Sequence, residues 1–522
     1  MRLSRFLLGT GLAALSVPAA AQSVAPVTPI REVVPQDEAT TTLREAMTRA
    51  YNTSPELTGE RANLRAIDEN VPIARAGGLP SLDSTGGVTE NVFDSGSTAG
   101  PARQASVGLD LSVPIYSGGS VRNSVRAAET RVEAGRANLR GVETNLFVDV
   151  VAAYLDVIRD QAVVRLNLQN VRVLEVNLQA TRDRFEVGDL TRTDVAQSEA
   201  RLALALSQLR AAEAELIASR ETYIRVVGAP PGTLASPPPL PDLPDSPQRA
   251  VAVALEENPS LDAARSLREA SEFDVDVAQA SRRPRVAIGV GTDYYSYLGS
   301  VGGQAALAGF DNDGISTSAG VQLSLPLFQG GRPAAQVRQA QARESAAIEQ
   351  VTLAERTIVA QARSAFARYR SALRVIEASR IAVEASRLSL EGVRAENTVG
   401  TRTILDILNA EQELLNAQVQ YVTAERDAYV AGFTLLAVMG RAEAEDLGLD
   451  GGALYDPTAN YERVRGRWSD WGSDPDPEPV ATSTVDTAAQ TPEVAETLDP
   501  LLQRPVDSMY PYPAGEAADT PN

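Results

Sequence analysis

The side chains available for chemistry in this 522-residue chain are carboxylates, hydroxyls and guanidinium groups. The sequence contains no Cys, no His and no Lys, so all 48 basic residues are Arg. These absences exclude thiol nucleophiles, histidine-based triads, thiolate or imidazole metal sites and Schiff-base lysines. A hydrolase built on two carboxylates is still allowed, but no cleft motif with paired acids stands out from the surface charges. The sequence therefore predicts a protein that is not an enzyme and that uses no cofactor or metal.

Two carboxylates attract attention because they occupy the same place in two halves of the chain. Asp194 follows the step Val187-Gly188, and Asp406 follows the step Val399-Gly400 at the same spacing. The strand-like segment VPIYSGG (113–119) and its counterpart LPLFQGG are separated by the same offset of about 212 positions. Because a shared offset over such a length is hard to obtain by chance, the chain is predicted to be an internal duplication.

The duplication organises the rest of the chain into segments. Two N-terminal arginines, an apolar run and three consecutive alanines before position 22 predict a cleaved secretory signal. The acidic, Pro-rich end of the chain is expected to be largely disordered, with Trp468 and Trp471 docking on the helices. The predicted segments are a signal peptide (1–21), an N-terminal periplasmic segment (22–40), a first repeat (41–228), a Pro-rich linker (229–247), a second repeat (248–440) and a C-terminal tail (441–522).

Each repeat changes its hydrophobic period in the same order. Short helical segments come first, then a pair of strands whose residues alternate between apolar and polar. A proline-poor stretch follows each Gly-Gly step and predicts a helix of roughly 100 Å, given a rise of about 1.5 Å per residue. These long helices are predicted from about Ser120 to Val187 and from about Pro333 to Val399, and a shorter return helix follows each.

The strands place a constraint on assembly. Strands of about ten residues match tilted membrane-spanning β-strands, but four strands cannot close a barrel. An open edge in lipid would leave backbone groups unpaired at high cost, so the barrel must be shared between chains. Two chains would give about eight strands and a packed interior, and three would give about twelve and a wet lumen, which the polar strand faces favour. A soluble β-sandwich attached to a coiled coil is the alternative, but it leaves the signal peptide and the two long hairpins unexplained.

These features together resemble the TolC family of outer-membrane export channels, the type I secretion outer membrane proteins. The resemblance covers about Thr41 to Gly440 and rests on the duplication, the Pro-x-apolar-x-Gly-Gly strand exits and the run GTRTILDILNAEQELLNAQ (Gly400–Gln418). It implies an α + β membrane protein of the cell outer membrane, in contact with outer-membrane lipid. It also implies a homotrimer, in which each chain gives four strands to a 12-stranded β-barrel and long α-helical hairpins to a periplasmic tunnel.

The resemblance also implies roles for particular residues. A gate at the inner end of the tunnel would join Thr193 and Asp194 to Arg402, although the tyrosine that the family often places nearby is Asn397 here. Asp406, repeated around the axis, would form a cation-binding ring of one layer, because the family's second aspartate is Asn409 here. The turns at Val187, Gly188, Val399 and Gly400 would be the tips that dock an adaptor, and Asp189 stands where relatives often have an apolar residue. The alternative for both aspartates is an ordinary helix-start carboxylate, and for both glycines a helix C-cap.

The implied function is that of a passive exit duct for secreted protein or drugs. Its partners would be a periplasmic adaptor (membrane fusion protein) and an inner-membrane ABC or RND transporter. The formal net charge of −20 argues against nucleic acid as a partner. A structural tether that spans the periplasm without conducting is the alternative function.

Overall fold

The computed structural model describes residues 40–90, 92, 103–241, 243–299, 311–449, 454–494 and 502. These residues fall within the second of two units of the chain, Thr40–Asn522. The predicted signal peptide and nearly all of the segment 22–40 lie outside the described residues. Among the described residues, the helices and strands in chain order are α1 (Leu43–Thr53), α2 (Pro55–Asp68), α3 (Asn70–Ala76), β1 (Ser81–Glu90), β2 (Arg103–Tyr116), α4 (Ser120–Glu186), α5 (Arg192–Val227), α6 (Pro247–Glu257), α7 (Pro259–Ala280), β3 (Arg285–Ser296), β4 (Asp313–Ser324), α8 (Arg332–Thr398), α9 (Ile404–Val438) and α10 (Ala459–Val464).

The long helices of the two repeats have the same length. Helices α4 and α8 each contain 67 residues, which corresponds to about 100 Å. Each begins after a glycine with positive φ, Gly119 at +89° and Gly331 at +81°, a conformation that residues with a side chain rarely adopt. No helix in the described part of the chain is long and apolar enough to cross a membrane. The prediction of two long helices that return through shorter ones is confirmed.

The short helices of the two repeats begin with similar local signals. Ser54 caps α2, whose first residue is a proline, and Ser246 and Asn258 cap α6 and α7 in the same way. At α1, the side chain of Thr42 accepts from the Glu45 N–H, and the Glu45 carboxylate accepts from the Thr42 N–H. These caps determine the first residue of each short helix.

The strands form one antiparallel sheet with the order β1-β2-β3-β4. Strand β2 of the first repeat pairs with β3 of the second, so the two repeats share one sheet. Strands β1 and β4 are its two edges, and every residue of β1 is exposed in the single chain. The predicted strand pairs are confirmed, and the open edges are those that the sequence argument required.

The register of the strands separates an apolar face from a polar face. Val107 pairs with Tyr294, which pairs with Ile315, and all three side chains lie on the same face. The opposite face carries carboxylates, including Asp110, whose direct partner on β1 is Asp83. Large side chains of the apolar face are exposed in the single chain: Leu82, Val88, Val107, Leu109, Ile288, Tyr294, Ile315, Val321 and Leu323.

The hydrophobic core lies where α1 and α2 pack against α4, and where the linker crosses α4 and α9. Tyr51 stacks on Phe147 with ring centroids 6.2 Å apart. The hydroxyl oxygen of the fully buried Tyr154 lies 2.9 Å from the carbonyl oxygen of Thr41 and 2.6 Å from that of Ala235, and its single proton is shared between these two acceptors. The beginning of the first repeat and the linker are therefore held on the same residue of α4.

Some of the described tail residues pack against the rest of the chain, and the side chains of Val464, Val494 and Leu502 are buried. Residues 465–480 are all exposed, and the expectation that the tail is largely disordered stays a prediction. The expected docking of Trp468 and Trp471 on the helices is wrong within one chain, because their side chains are 84% and 98% exposed.

We expect a charge on the apolar face of β2 to prevent assembly and a charge on the polar face to be tolerated. Leu109→Arg at the middle of β2 should cost about 2–4 kcal/mol if this face contacts lipid. Asp110→Arg, one residue further and on the opposite face, is the matched control and should assemble. Recovery of oligomer in the outer-membrane fraction measures the difference. Equal recovery of the two variants would contradict the assignment of faces.

Candidate functional site

The turns at the far ends of the two long helices have the same backbone geometry. After α4, the N–H of Gly188 donates to the Phe185 carbonyl (3.0 Å), and the N–H of Asp189 donates to the Arg184 carbonyl (2.9 Å). After α8, the N–H groups of Gly400 and Thr401 make the equivalent bonds, both at 3.0 Å. This pattern is the Schellman motif, and it requires positive φ at the glycine, here +82° and +81°. The glycines are therefore helix C-caps, as the alternative interpretation proposed.

Each turn presents a valine to solvent. The side chains of Val187 and Val399 are 81% and 74% exposed in the single chain. They lie about 100 Å along the long helices from the ends that join the sheet. The duplication thus places two exposed apolar side chains at the tips furthest from the sheet.

Asp194 and Asp406 each complete a capping box at the start of a return helix. The Asp194 carboxylate accepts from the N–H (2.8 Å) and the hydroxyl (2.7 Å) of Thr191, and the Asp194 N–H donates to the Thr191 Oγ1. Asp406 makes the same three bonds with Thr403. The hydroxyl and N–H donors of Thr191 lower the pKa of Asp194, and those of Thr403 lower the pKa of Asp406. Both carboxylates are therefore ionised at neutral pH.

Arg402 is engaged within its own turn. Its Nε lies 2.7 Å from a carboxylate oxygen of Glu396, and this pairing raises the pKa of the guanidinium. Asn397 donates from Nδ2 to the Arg402 carbonyl at 2.8 Å. The structure of one chain therefore does not bring Arg402 to Asp194 or to the exposed Thr193. The gate contact is not formed within a chain.

Ion pairs join the two helices of each hairpin and are not among the contacts that the sequence predicts. Arg182 pairs with Glu199 at 2.7 Å in the first hairpin, and Arg394 pairs with Glu411 at the equivalent positions of the second. The first pair is half exposed, whereas the side chain of Glu411 is only 1% exposed. The sequence does contain a signal for these pairs, because both the arginine and the glutamate recur at the offset of the duplication.

A second missed contact joins the two hairpins. Arg201 of α5 donates to the Oδ1 of Asn409 in α9 at 2.7 Å. The sequence indicates Asn409 only as the position where the family has a second aspartate of the cation ring. In the structure, Asn409 accepts a hydrogen bond that joins the first hairpin to the second, and it lies one turn from Asp406.

Comparison with known proteins agrees with this geometry. The sequence matches the family model described as outer membrane efflux protein over residues 46–229 and 250–441. The chain belongs to the outer membrane efflux protein family. It is 34% identical over 428 residues to the outer membrane efflux protein BepC of Brucella suis, covering 82% of this chain and 91% of that protein. It is 26% identical over 429 residues to the outer membrane protein TolC of Escherichia coli, covering 81% and 87%.

Solved structures show the same fold. The outer membrane protein VceC of Vibrio cholerae superposes with a TM-score of 0.66 at 22% identity, covering 76% of this chain and 96% of that one. The Campylobacter jejuni outer membrane channel CmeC gives a TM-score of 0.68 at 14% identity, covering 81% and 89%. The fold is that of the trimeric TolC-like channels, and the chain is an outer-membrane exit duct with a periplasmic helical tunnel. The family is one of channels rather than enzymes.

We expect the buried ion pair to matter more than its exposed counterpart. Arg394→Ala removes the guanidinium that pairs with the buried Glu411 and should destabilise the second hairpin by about 1–3 kcal/mol. Arg182→Ala removes the equivalent exposed pair and should cost less than about 1 kcal/mol. Hydrogen exchange of the return helices in the purified protein measures both. Equal protection of the two hairpins in the two variants would contradict this ranking.

Proposed function

We propose that three copies of the chain form a passive duct that receives cargo from an inner-membrane ABC or RND transporter through a periplasmic adaptor. The observation that carries this proposal is a four-stranded sheet with open edges and one apolar face, continuous with two hairpins of about 100 Å. Such a chain supplies one part of a wall that crosses both the membrane and the space beneath it. The transporter, and not the duct, supplies the energy.

The cargo is proposed to be either secreted protein or drugs. One relative, from Pseudomonas aeruginosa, is named an alkaline protease secretion protein and is 30% identical over 319 residues. Another, from Burkholderia cepacia, is named a fusaric acid resistance protein and is 27% identical over 305 residues. The run from Gly400 to Gln418 leads us to favour type I protein secretion.

The tips at Val187-Gly188 and Val399-Gly400 are proposed to dock the adaptor. Support comes from the exposure of both valines and from the rigid Schellman turns that present them. Small exposed apolar side chains on fixed turns suit insertion into a groove of a partner protein. The charge of Asp189 at this tip has a counter-charge in the same turn, because Arg184 pairs with it at 2.7 Å.

The gate is proposed to form between neighbouring chains, with Arg402 of one chain reaching Thr193 and Asp194 of the next. Two observations support this proposal. The pair between Arg402 and Glu396 is half exposed on both sides, and an exposed pair of this kind exchanges partners at little cost. Asp194 is ionised and keeps its place through the capping box, so a carboxylate is presented in a fixed position.

Single-channel conductance in planar bilayers tests both the duct and its gate. Arg402→Ser should raise the conductance of the purified protein by several-fold, because the inner entrance loses its closing contact. Glu396→Gln is the matched control. It frees Arg402 from its own turn without removing the guanidinium, and conductance should stay at the level of the unmodified protein.

The outcomes separate the alternatives. An equal rise in both variants would mean that the local turn, and not a contact between chains, holds the entrance. No conductance in any variant would favour the non-conducting tether.

Asp406 is proposed to line the constriction as a ring of three carboxylates that binds cations. Asp406→Asn should weaken block by trivalent cations about tenfold, and Asp189→Asn, which removes a carboxylate from the turn of the first hairpin, should leave it unchanged. The low pKa of Asp406 means that the carboxylate stays charged until the pH falls below its ordinary value of 3.8. Block should therefore persist between pH 7 and pH 5. Block that is equal in all three proteins, or lost by pH 5, would contradict the ring.

A further inference from the structure

We propose that residues 465–473 of the tail, here named the tryptophan loop, insert into the headgroup region of the periplasmic leaflet and anchor the tail to membrane phospholipid. The loop carries Trp468 and Trp471, the only two tryptophans of the chain. The proposal rests on the sheet lying in the outer membrane. It adds a lipid-binding surface that lies outside the sheet and outside both repeats.

Before the tryptophan loop, the tail contacts α1, α2 and α3 in turn, and these contacts lie progressively closer to the sheet. The N–H of Tyr455 donates to the hydroxyl of Tyr51 in α1 (3.0 Å), and Asn460 donates to the carboxylate of Asp68 in α2 (2.7 Å). Arg75, which follows in α3, donates to the carbonyl of Arg465 (3.0 Å). Each step brings the tail closer to Ser81, where β1 begins.

The contacts of the tail with helix α4 also approach the sheet as the tail proceeds. Tyr461 contacts the helix at Glu129, whose carboxylate accepts from the tyrosine hydroxyl at 3.4 Å. Arg465 lies beside Arg122, two residues after the first residue of α4. Since β2 ends at Tyr116, Arg465 lies within about two helical turns, roughly 10 Å, of the sheet.

The tryptophan loop is the apex of this path. Arg463 pairs with Asp474 through two bonds of 2.7 Å, which close the loop at its base. After the loop the tail returns away from the sheet, and Arg220 near the end of α5 donates to the carbonyl of Glu493 at 2.7 Å. Among the tail residues that the structure describes, the tryptophans therefore lie in the segment between the contact with the start of α4 and the return toward α5.

The chemistry of the loop and its surroundings matches a lipid headgroup region. The side chains of Trp468 and Trp471 are both almost fully exposed, and tryptophan is enriched at membrane–water interfaces. The side chain of Ile73, on the neighbouring α3, is also exposed. Two exposed indoles at the end of the molecule that carries the sheet would add apolar surface at the level of the lipid headgroups.

Beneath the loop is a cationic cavity of about 530 Å³. Four arginines line it, Arg75, Arg122, Arg126 and Arg465, together with Glu129. The guanidinium of Arg465 also pairs with Glu462 at 2.7 Å, and that of Arg126 lies over the ring of Phe273. Arginine recognises phosphate oxygens through paired N–H donors. The cavity therefore offers phosphodiester groups of the leaflet a binding site at the same level as the indoles.

Intrinsic fluorescence of the full-length protein tests the proposal, because both tryptophans lie in the loop. The oligomer is reconstituted into phosphatidylcholine vesicles whose acyl chains carry bromine near the headgroup. Emission should fall by roughly twofold relative to unbrominated vesicles, as expected for indoles at the interface. Trp468→Phe and Trp471→Phe then report each position separately, and each single-tryptophan protein should still be quenched.

Two controls in the double Trp468→Phe, Trp471→Phe background calibrate the measurement. Leu109→Trp, on the apolar face of β2, must be quenched. Val187→Trp, at the far tip, must not be quenched. If the Leu109→Trp probe is not quenched, the sheet is not in lipid, and the membrane placement fails together with this proposal.

Two results for the native tryptophans would overturn the proposal alone. Red-shifted emission that iodide quenches and brominated lipid does not would place the indoles in water. Blue-shifted emission that neither reagent quenches would place them against a neighbouring chain. Replacing Arg122 and Arg465 with Gln should reduce quenching by brominated lipid while the oligomer remains intact, and undiminished quenching would remove the arginine cavity from the anchor.

Discussion

The structure depends on the backbone hydrogen bonds of the sheet's two edges. In lipid, an unpaired N–H or C=O group has no water to bond, so the outer sides of β1 and β4 must find strands in other chains. The apolar face of the sheet adds to this constraint. Its side chains are exposed in one chain, and contact with lipid would remove them from water. Assembly into a closed wall is therefore a condition for the fold, and the tunnel of helices beneath follows the same symmetry.

Duplication explains why the periplasmic part is built twice with the same local chemistry. The lengths of the long helices, the Schellman turns and the capping boxes are the same in the two hairpins, whose sequences keep glycine, threonine and aspartate at matching positions. The differences are tertiary. Glu411 is buried while Glu199 is half exposed, and Asn409 receives Arg201 from the other hairpin. The two hairpins therefore have the same arrangement of helices but are not equivalent, because their side chains make different tertiary contacts.

The sequence predicts what is periodic and local. The helix from Ser120 and the strand around Leu109 could be read from hydrophobic period, and the ends at Gly188 and Gly400 from the need for positive φ. It does not predict contacts between residues distant in sequence, such as the Arg201–Asn409 bond. The tail shows the same limit, because its composition indicates disorder, yet Val464 and Leu502 bury themselves in surfaces that exist only after the helices have packed. Arg402 is a further case, since local geometry gives it Glu396 as a partner, and the gate that we propose requires a second chain.

The most direct test of the central claim is disulfide cross-linking between the edges of the sheet, which is possible because the chain has no native cysteine. One cysteine is placed on β1 and one on β4, over a series of registers, and the protein is oxidised in native outer membranes. We expect at least one register to give a series of covalently linked species, the largest of which contains three chains. A largest species with any other number of chains, or a monomeric particle recovered from the soluble fraction without detergent, would contradict the central claim.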